Sequence, residues 1–304
     1  MSKVVGIGSA LFDIIMYSDK FPSEDTKLRA EESITQGGGP CSTALVALSV
    51  LGIESEYIGN VGDDQYGKAI VDDFKKYGVN CSRVKIDKGK QSANSFVLCN
   101  TAKGSRTCVY SLGTLSEPNY EESELEDILS SASVLHLDGY HHDLAMRAAK
   151  IVHKNGGIVS LDAGTIRDQI EDFLNVSDWI IASEEFALKI TKKENAEDAC
   201  HELAKKYDSS ITAVTCGKRG GVFKSKDMSG SYPIYDVEVV DSNGAGDVFH
   251  GAFIAAILNG FDLKKSCCFA SGVSSLKCEK KGARAGVPTF EEACVFLRSQ
   301  GLVI

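Results

Sequence analysis

The 304-residue sequence has few of the features that divide a chain into modules. It contains five prolines and a single tryptophan, and no run of one charge sign or of serine and glycine interrupts it. Because linkers and disordered segments carry such runs, their lack predicts one continuous domain over residues 1–304. Hydrophobic residues make up 43% of the chain, which is enough for a substantial buried core.

Long apolar segments and an excess of positive charge are also lacking. The opening run, residues 1–8, is too short for the core of a signal peptide or for a membrane span. The formal net charge is -9, whereas proteins that neutralise nucleic-acid phosphates or anionic lipids are basic. We therefore expect a cytoplasmic protein that binds neither nucleic acid nor membranes.

Cysteine pairs at metal-binding spacing are lacking, although the chain has ten cysteines. None of them forms a CxxC pair, so the common zinc motifs are excluded. Several, such as Cys99 and Cys267-Cys268, lie in apolar runs where a thiol behaves as a small buried hydrophobic group. We predict that these cysteines are reduced and structural.

Strand-like runs that alternate with helical patterns are, by contrast, abundant. Strands are predicted over residues 4–8, 55–61, 134–137, 158–161, 179–182 and 211–215. Helices are predicted over residues 42–51, 67–77, 144–154 and 196–207. This alternation predicts a three-layer α/β fold with a mainly parallel central sheet, in which ligands bind beyond the carboxyl ends of the strands.

Two stretches, residues 14–35 and 91–112, break this alternation. Their apolar and polar residues alternate instead, which predicts antiparallel strands outside the main sheet. We favour a small β-sheet lid that excludes water from a cleft, and a plain surface hairpin remains the alternative.

Two glycine-containing runs resemble nucleotide-binding motifs but depart from them. Residues 6–11 begin like a dinucleotide fingerprint, yet Leu11 replaces the third glycine, which disfavours a dehydrogenase. Residues 62–69 resemble a phosphate-binding loop, yet Ala69 replaces the hydroxyl that would bind magnesium. The acidic Asp63 and Asp64 would also repel phosphates, so we interpret this run as a strand-to-helix turn.

The run Asp241-Ser242-Asn243-Gly244-Ala245-Gly246-Asp247 carries the clearest chemical signal. It joins a predicted strand over residues 235–240 to a predicted helix over 248–258. The small residues Gly244, Ala245 and Gly246 would let a ligand approach the backbone amides of a helix N-terminus, which forms an anion site. Asp247 stands beside it and could accept the proton of an attacking hydroxyl.

A simple helix cap is the alternative interpretation of this run. Asp241 or Ser242 could cap the helix, and Asp247 could lie in its first turn without any catalytic role. A cap alone does not require two glycines and an alanine in succession, so we favour the phosphate site.

With these residues in view, the sequence resembles the ribokinase-like, or PfkB, carbohydrate kinases. Residues 241–247 resemble the C-terminal signature of that family, and residues 36–45, with Gly37-Gly38-Gly39, resemble its N-terminal signature. The turn at residues 61–67 and the loops over 214–221 and 282–288 extend the resemblance to nearly the whole chain. The motif sequences are most similar to those of the branch that contains sulfofructose kinase.

The resemblance implies a role for each matching residue. The implied substrate contacts are Asp13, Gly37, Gly38, Gly39, Ser42 and Asp138. The implied nucleotide contacts are Ser183, Thr215, Gly217, Gly220, Ser274, Gly282 and Ala283. Asp247 is the implied catalytic base, and Gly244, Ala245 and Gly246 are the implied anion hole.

ATP and Mg²⁺ are the implied cofactors, with Glu184 as the implied metal contact. In relatives that use a monovalent cation such as K⁺, the counterparts of Asp241, Asn243 and the loop over 282–285 supply its oxygen ligands.

The sequence also departs from the family pattern. Ser42 replaces an asparagine that usually touches the sugar, and Ser183-Glu184-Glu185-Phe186 stands where the family usually has an Asn-x-x-Glu motif. Lys27 could match a sulfonate-binding lysine of the sulfofructose kinase branch, yet Gly139 stands where that branch has an arginine. We therefore assign no sulfonated substrate.

The resulting prediction is an enzyme that uses ATP to phosphorylate a primary hydroxyl of a small sugar, most simply a ketose or furanose. A kinase of nucleosides or other small alcohols is one alternative, and a non-catalytic sensor of sugar or nucleotide is another. Since an exposed lid offers strand edges that pairing would cover, a homodimer through the lid is also predicted by resemblance.

Overall fold

The main sheet has eight strands. In the computed structural model, which describes residues 2–304, their order is β14-β13-β12-β11-β10-β9-β1-β4. The strands are β1 (Lys3–Ile7), β4 (Glu54–Tyr57), β9 (Ala132–Leu137), β10 (Ile158–Ala163), β11 (Trp179–Ser183), β12 (Ile211–Thr215), β13 (Gly221–Ser225) and β14 (Ser229–Tyr232). All pairings from β4 to β12 are parallel, and β13 and β14 add an antiparallel edge.

Within residues 2–304, ten helices cover the two faces of this sheet. They are α1 (Pro40–Val50), α2 (Gln65–Lys76), α3 (Glu122–Leu129), α4 (His142–Lys154), α5 (Ile170–Asn175), α6 (Glu184–Thr191), α7 (Ala196–Lys206), α8 (Ala245–Leu258), α9 (Leu263–Lys277) and α10 (Phe290–Ser299). Successive strand residues point to opposite faces, so Val4 joins the core under α1, α8 and α9 while Val5 joins the core under α3, α4 and α7. The predicted three-layer α/β fold is confirmed.

A second sheet of four strands, in the order β3-β2-β7-β8, forms the lid. Its strands are β2 (Leu11–Ser18), β3 (Glu32–Gly38), β7 (Asn94–Asn100) and β8 (Ser105–Ser111). The pairs β2–β3 and β7–β8 are antiparallel, as expected, but β2 and β7 pair in parallel and join the two hairpins into one sheet. A small core of Ile15, Tyr17, Val97 and Cys99 lies under it. The short strands β5 (Asn60–Gly62) and β6 (Lys85–Asp87) make a separate two-stranded sheet.

Two local predictions were wrong. Residues 55–61 are two strands in different sheets, because the chain turns at Gly59, whose amide and carbonyl both bond the hydroxyl of Tyr120 at 2.9 Å. Residues 235–240 are irregular, because this segment is tied to α9 by the amides of Val240 and Asp241, which both donate to the Cys278 carbonyl.

Four of the five predicted helices begin two or three residues earlier than predicted, and the helix predicted from residue 196 begins there. The helix predicted from residue 42 begins at Pro40, and the one predicted from residue 248 begins at Ala245. The first turn of a helix has backbone amides without partners inside the helix, and small or polar residues are common there. The apolar periodicity therefore begins only after this turn.

The ten cysteines, all within residues 2–304, are free thiols, and most are buried. Among the described residues, every helix is too short or too polar to cross a membrane. Met1, the first residue of the opening run and of the predicted domain, lies outside the described residues.

Candidate active site

A cavity of about 320 Å³ lies between the lid and the carboxyl ends of the central strands. The lid contributes Leu11, Asp13, Ser95, Val97, Cys108 and Tyr110 to its wall. The main domain contributes Ser9, Gly39, Pro40, Thr43, Tyr140, Thr165, Arg167, Asn243, Asp247 and Ala283. The predicted base and a predicted substrate carboxylate, Asp13, therefore line the same cavity.

Asp247 lies in the first turn of α8. This helix starts after Gly244, which has a left-handed backbone (φ 74°). A β-carbon at this position would lie only 2.5 Å from the β-carbon of Ala283, so the position requires glycine. No side chain of residues 2–304 caps the helix, and a β-carbon at Gly246 would have open space around it. The N-terminal amides are thus accessible to an anion, as the small residues predicted.

Burial, together with the nearby Asp162 and opposed by His250, raises the pKa of Asp247 to about 7. Asp162 and His250 are both buried, with His250 Nε2 3.2 Å from Asp162 Oδ1. Burial alone would raise the pKa of Asp162, but His250 holds it below its ordinary value. The result is one carboxylate that is ionised and a second, Asp247, that is poised to exchange a proton near neutral pH.

Asp13 lines the opposite side of the cavity. Its carboxylate accepts a hydrogen bond from the Ser95 hydroxyl, and burial raises its pKa. Gly38 packs directly against this carboxylate, so that a β-carbon there would collide with Asp13 Oδ2. A glycine at position 38 thus allows the lid strand β3 to pass close to a carboxylate that can bind substrate hydroxyls.

The side chains of Ser42 and Asp138 point into the protein rather than to the cavity. Ser42 donates to the carbonyl of Gly38 and accepts a hydrogen bond of 2.6 Å from Arg284. Asp138 accepts hydrogen bonds from the amide and hydroxyl of Ser9, at 2.9 and 2.6 Å, and from the Cys41 amide. Their geometry suits support of the cavity wall, and direct contact with substrate stays a prediction.

The predicted nucleotide contacts lie at the ends of β11 and β12 and around α8. Ser183 caps α6, and Thr215 ends β12 just before a 3₁₀ turn at Gly217–Arg219 and the left-handed Gly220. On the other side of α8, the Ser274 hydroxyl donates to the Ala245 carbonyl at 2.7 Å. The Gly282 amide donates to Asp241 Oδ2 and to the Tyr17 hydroxyl, each at 2.9 Å. Ala283 reaches the cavity wall.

Comparison with known proteins agrees with this geometry. Residues 1–290 match the pfkB family carbohydrate kinases. This chain belongs to that family. An ATP-dependent ribose-1-phosphate kinase of Halopiger xanaduensis is 27% identical over 300 residues, covering 98% of each chain. Ribokinase of Bacillus subtilis is 27% identical over 294 residues, covering 96% of this kinase and 98% of the relative.

The fold of this kinase is also that of solved relatives. The structure of Arabidopsis thaliana ribokinase, complexed with ribose and ATP, superposes with a TM-score of 0.84 at 24% identity and covers 98% of each chain. These relatives do not single out the sulfofructose kinase branch, so that finer resemblance stays a prediction.

Glu184 of this kinase is engaged in an ion pair with Arg219. Residues 2–304 contain no cluster of three or more acidic, histidine or cysteine side chains placed to hold a metal ion. Mg²⁺ commonly binds through one or two carboxylates together with substrate phosphates and water. Glu184 stays the predicted protein contact of a magnesium ion that would arrive with the nucleotide.

Two residues that shape the kinase site, Arg284 and Lys277, were missed from the sequence. Arg284 is 1% exposed and binds Ser42, Thr43 and Asp73, and Lys277 is fully buried beside the 241–244 loop. Arg167 stacks 3.9 Å from the ring centroid of Tyr140 on the cavity wall. Arg284 lies in a loop that the family resemblance includes, but only its partners, which are distant in sequence, reveal its role.

We predict that kcat/KM of the kinase for its acceptor falls as the pH is lowered through about 7, because protonated Asp247 cannot accept a proton. The measurement is a profile of kcat/KM from about pH 5.5 to 9 with saturating Mg-ATP. Thermal melting at each pH controls for unfolding. A flat profile over the acid half of this range would contradict the role of Asp247 as base.

Proposed function

We propose that this kinase transfers the γ-phosphoryl group of Mg-ATP to a primary hydroxyl of a small furanose-like sugar. The observation that carries the proposal is the meeting, in one cavity, of Asp247 at an uncapped helix N-terminus and of Asp13 on the lid. Relatives named ribokinase and fructokinase, such as those of Bacillus subtilis and Arabidopsis thaliana, support a sugar as the acceptor.

The geometry suits an in-line transfer that depends on positioning and electrostatics. Asp247 would accept the proton of the attacking hydroxyl while the amides at the start of α8 hold the transferring phosphoryl group. Magnesium, when bound with ATP, would neutralise part of the phosphate charge. The lid would exclude water, which would otherwise compete with the sugar as acceptor.

The cavity also supports an acceptor of monosaccharide size that carries several hydroxyl groups. The acidic Asp13 can accept from a pair of hydroxyls, and Ser95 holds its carboxylate in place. Arg167, fixed against Tyr140, lines the same wall and offers donors to a phosphate or to a sugar oxygen. These groups favour a polyol over a flat, mainly apolar alcohol.

We further propose that the kinase acts in the cytoplasm, where its free thiols would remain reduced, and that it dimerises through the lid. Strand β8 supports the dimer, since all seven of its residues are exposed and it includes Val109 and Tyr110 at 70% and 57% exposure. A monomer by light scattering at micromolar concentration would contradict this assembly.

The acceptor can be identified by ADP release with Mg-ATP across ketoses, aldopentoses, sugar 1-phosphates, aldonates and nucleosides. We expect turnover with one class of sugar. Turnover confined to nucleosides would instead favour the nucleoside kinase alternative. ATP binding without turnover on any compound would favour a non-catalytic sensor.

On the acceptor found, Asp13→Asn is expected to raise KM by about 10- to 100-fold, because a neutral amide replaces a charged acceptor of hydroxyl hydrogen bonds. Asp19→Asn, an exposed change one residue beyond the same strand, is the matched control. An unchanged KM in Asp13→Asn would remove Asp13 from the substrate site.

A further inference from the structure

Lys277, the last residue of α9, has a side chain that is 0% exposed. Its ammonium group donates to the main-chain carbonyl of Asp241 at 2.8 Å and to the carbonyl of Asn243. Among residues 2–304 no carboxylate lies within ion-pair distance of it, which is unusual because buried lysines are normally paired. The Lys277 amino group therefore donates to two backbone carbonyls, and burial lowers its pKa while the nearby Asp241 opposes that effect.

These carbonyls belong to the loop that leads into α8. The loop is held from several sides, since Asp241 accepts the Asn243 amide through Oδ1 and the Tyr17 hydroxyl and Gly282 amide through Oδ2. Lys277 adds the bonds that orient the peptide groups on either side of Ser242. Gly244 and the amides of the anion hole follow this loop directly. The ammonium group therefore helps to set the orientation of these amides.

The same loop is where resemblance places the oxygen ligands of a monovalent cation in relatives that use one. A cation such as K⁺ is held when several carbonyl oxygens together replace its water shell. Here the carbonyl oxygens of Asp241 and Asn243 already bind an ammonium group, which carries the same charge. A second cation beside it would be repelled, so the residues present do not fit a bound K⁺.

We propose that Lys277 is a built-in replacement for a monovalent cation and that this kinase needs no K⁺. The covalently attached ammonium holds the 241–244 loop, and through it the amides of the anion hole, in the geometry that phosphate requires. Since its side chain is fully buried, Lys277 acts as a positioning residue rather than as a contact of ATP.

The first test uses the unmodified protein and needs no knowledge of the acceptor. K⁺ is exchanged for tetramethylammonium, which is too large for such a site, at constant ionic strength. Thermal melting and the Kd for a magnesium complex of a non-hydrolysable ATP analogue are then measured. We expect both to be unchanged.

A true K⁺ site with a Kd near 1 mM would instead raise the Tm by about 5 °C at about 100 mM K⁺. Such a rise, or a tightening of nucleotide binding that saturates with K⁺, would overturn the proposal. Both readouts are independent of sugar turnover, so this outcome is distinct from a failure of the proposed function.

The second test shortens the side chain. In Lys277→Ala the two carbonyls lose their donor, and turnover or nucleotide affinity is expected to fall by about 10- to 100-fold as the loop shifts. Added K⁺ or propylammonium should restore at least about a tenth of the lost turnover or nucleotide affinity, because either cation can bind the two carbonyls that have lost their donor. Lys277→Met fills the space with an apolar chain and should show no rescue.

Lys264→Ala, an exposed lysine change on the same helix, is the matched control and should behave as the unmodified kinase. Full nucleotide affinity and turnover in Lys277→Met would overturn the proposal. If the Lys277 variants do not fold, the cation series on the unmodified protein decides the question by itself.

Discussion

Asp247→Asn is expected to lower turnover by about 10²- to 10⁴-fold, the range that positioned acid–base groups contribute. The amide is nearly the same size as the carboxylate but cannot accept the proton of the attacking hydroxyl. Since the amides at the start of α8 are unchanged, the affinity for Mg-ATP should be retained. ADP release under saturating substrates, together with calorimetric binding of a non-hydrolysable ATP analogue, measures the two quantities separately.

The stability of this variant provides its control. Because the pKa of Asp247 is raised to about 7 in the folded protein, its ionisation lowers stability as the pH rises from about 4 to about 7. Asparagine removes this cost, so the Tm of Asp247→Asn at pH 8 should equal or exceed that of the unmodified kinase. Asp236→Asn, an exposed change in the segment before the loop, should leave turnover unchanged. Near-normal turnover in a folded Asp247→Asn would refute the proposed base.

Arg284→Met is expected to lower the free energy of unfolding by about 3–5 kcal/mol, as removal of one partner from a buried ion pair does. The guanidinium of Arg284 donates to Asp73, to the Ser42 hydroxyl at 2.6 Å and to the Gly38 carbonyl at 3.3 Å. Methionine has similar length but leaves all three acceptors without this donor. Denaturant unfolding of the variant measures the loss.

Arg83→Met is the matched control for this experiment. Arg83 forms an ion pair of 2.7 Å with Asp127, but the two side chains are 38% and 68% exposed. An exposed pair contributes little, so this change should cost less than about 1 kcal/mol. If Arg284→Met lowered the free energy of unfolding no more than Arg83→Met does, the buried arginine would not be a main contributor to stability.

A double-mutant cycle with Asp73→Asn separates the ion pair from the other bonds of Arg284. We expect a favourable coupling energy between Arg284 and Asp73 because their side chains are only 1% and 11% exposed. Additive effects would instead indicate that Arg284 stabilises the protein through its bonds to Ser42 and to the Gly38 carbonyl.

Much of the fold follows from patterns that are local in the sequence. The alternation of apolar runs with helical periodicity predicted the layers, and the change to two-residue alternation located the lid strands. The chemistry of the 241–247 run could be predicted for the same reason, since its small residues and Asp247 are neighbours in the chain. Short-range physical rules are therefore sufficient to predict a base and an anion hole in this run.

The tertiary structure alone decided the contacts between groups that are far apart in the chain. Arg284 meets Ser42 across 242 positions, and Tyr17 meets Asp241 across 224, and neither pairing leaves a periodic or compositional trace. The parallel pairing of β2 with β7, the inward orientation of Asp138 and the placement of Lys277 on two loop carbonyls depend likewise on how distant segments pack. The residue type determines which bonds a side chain can make. Only the packed fold brings that side chain to the partner with which it forms these bonds.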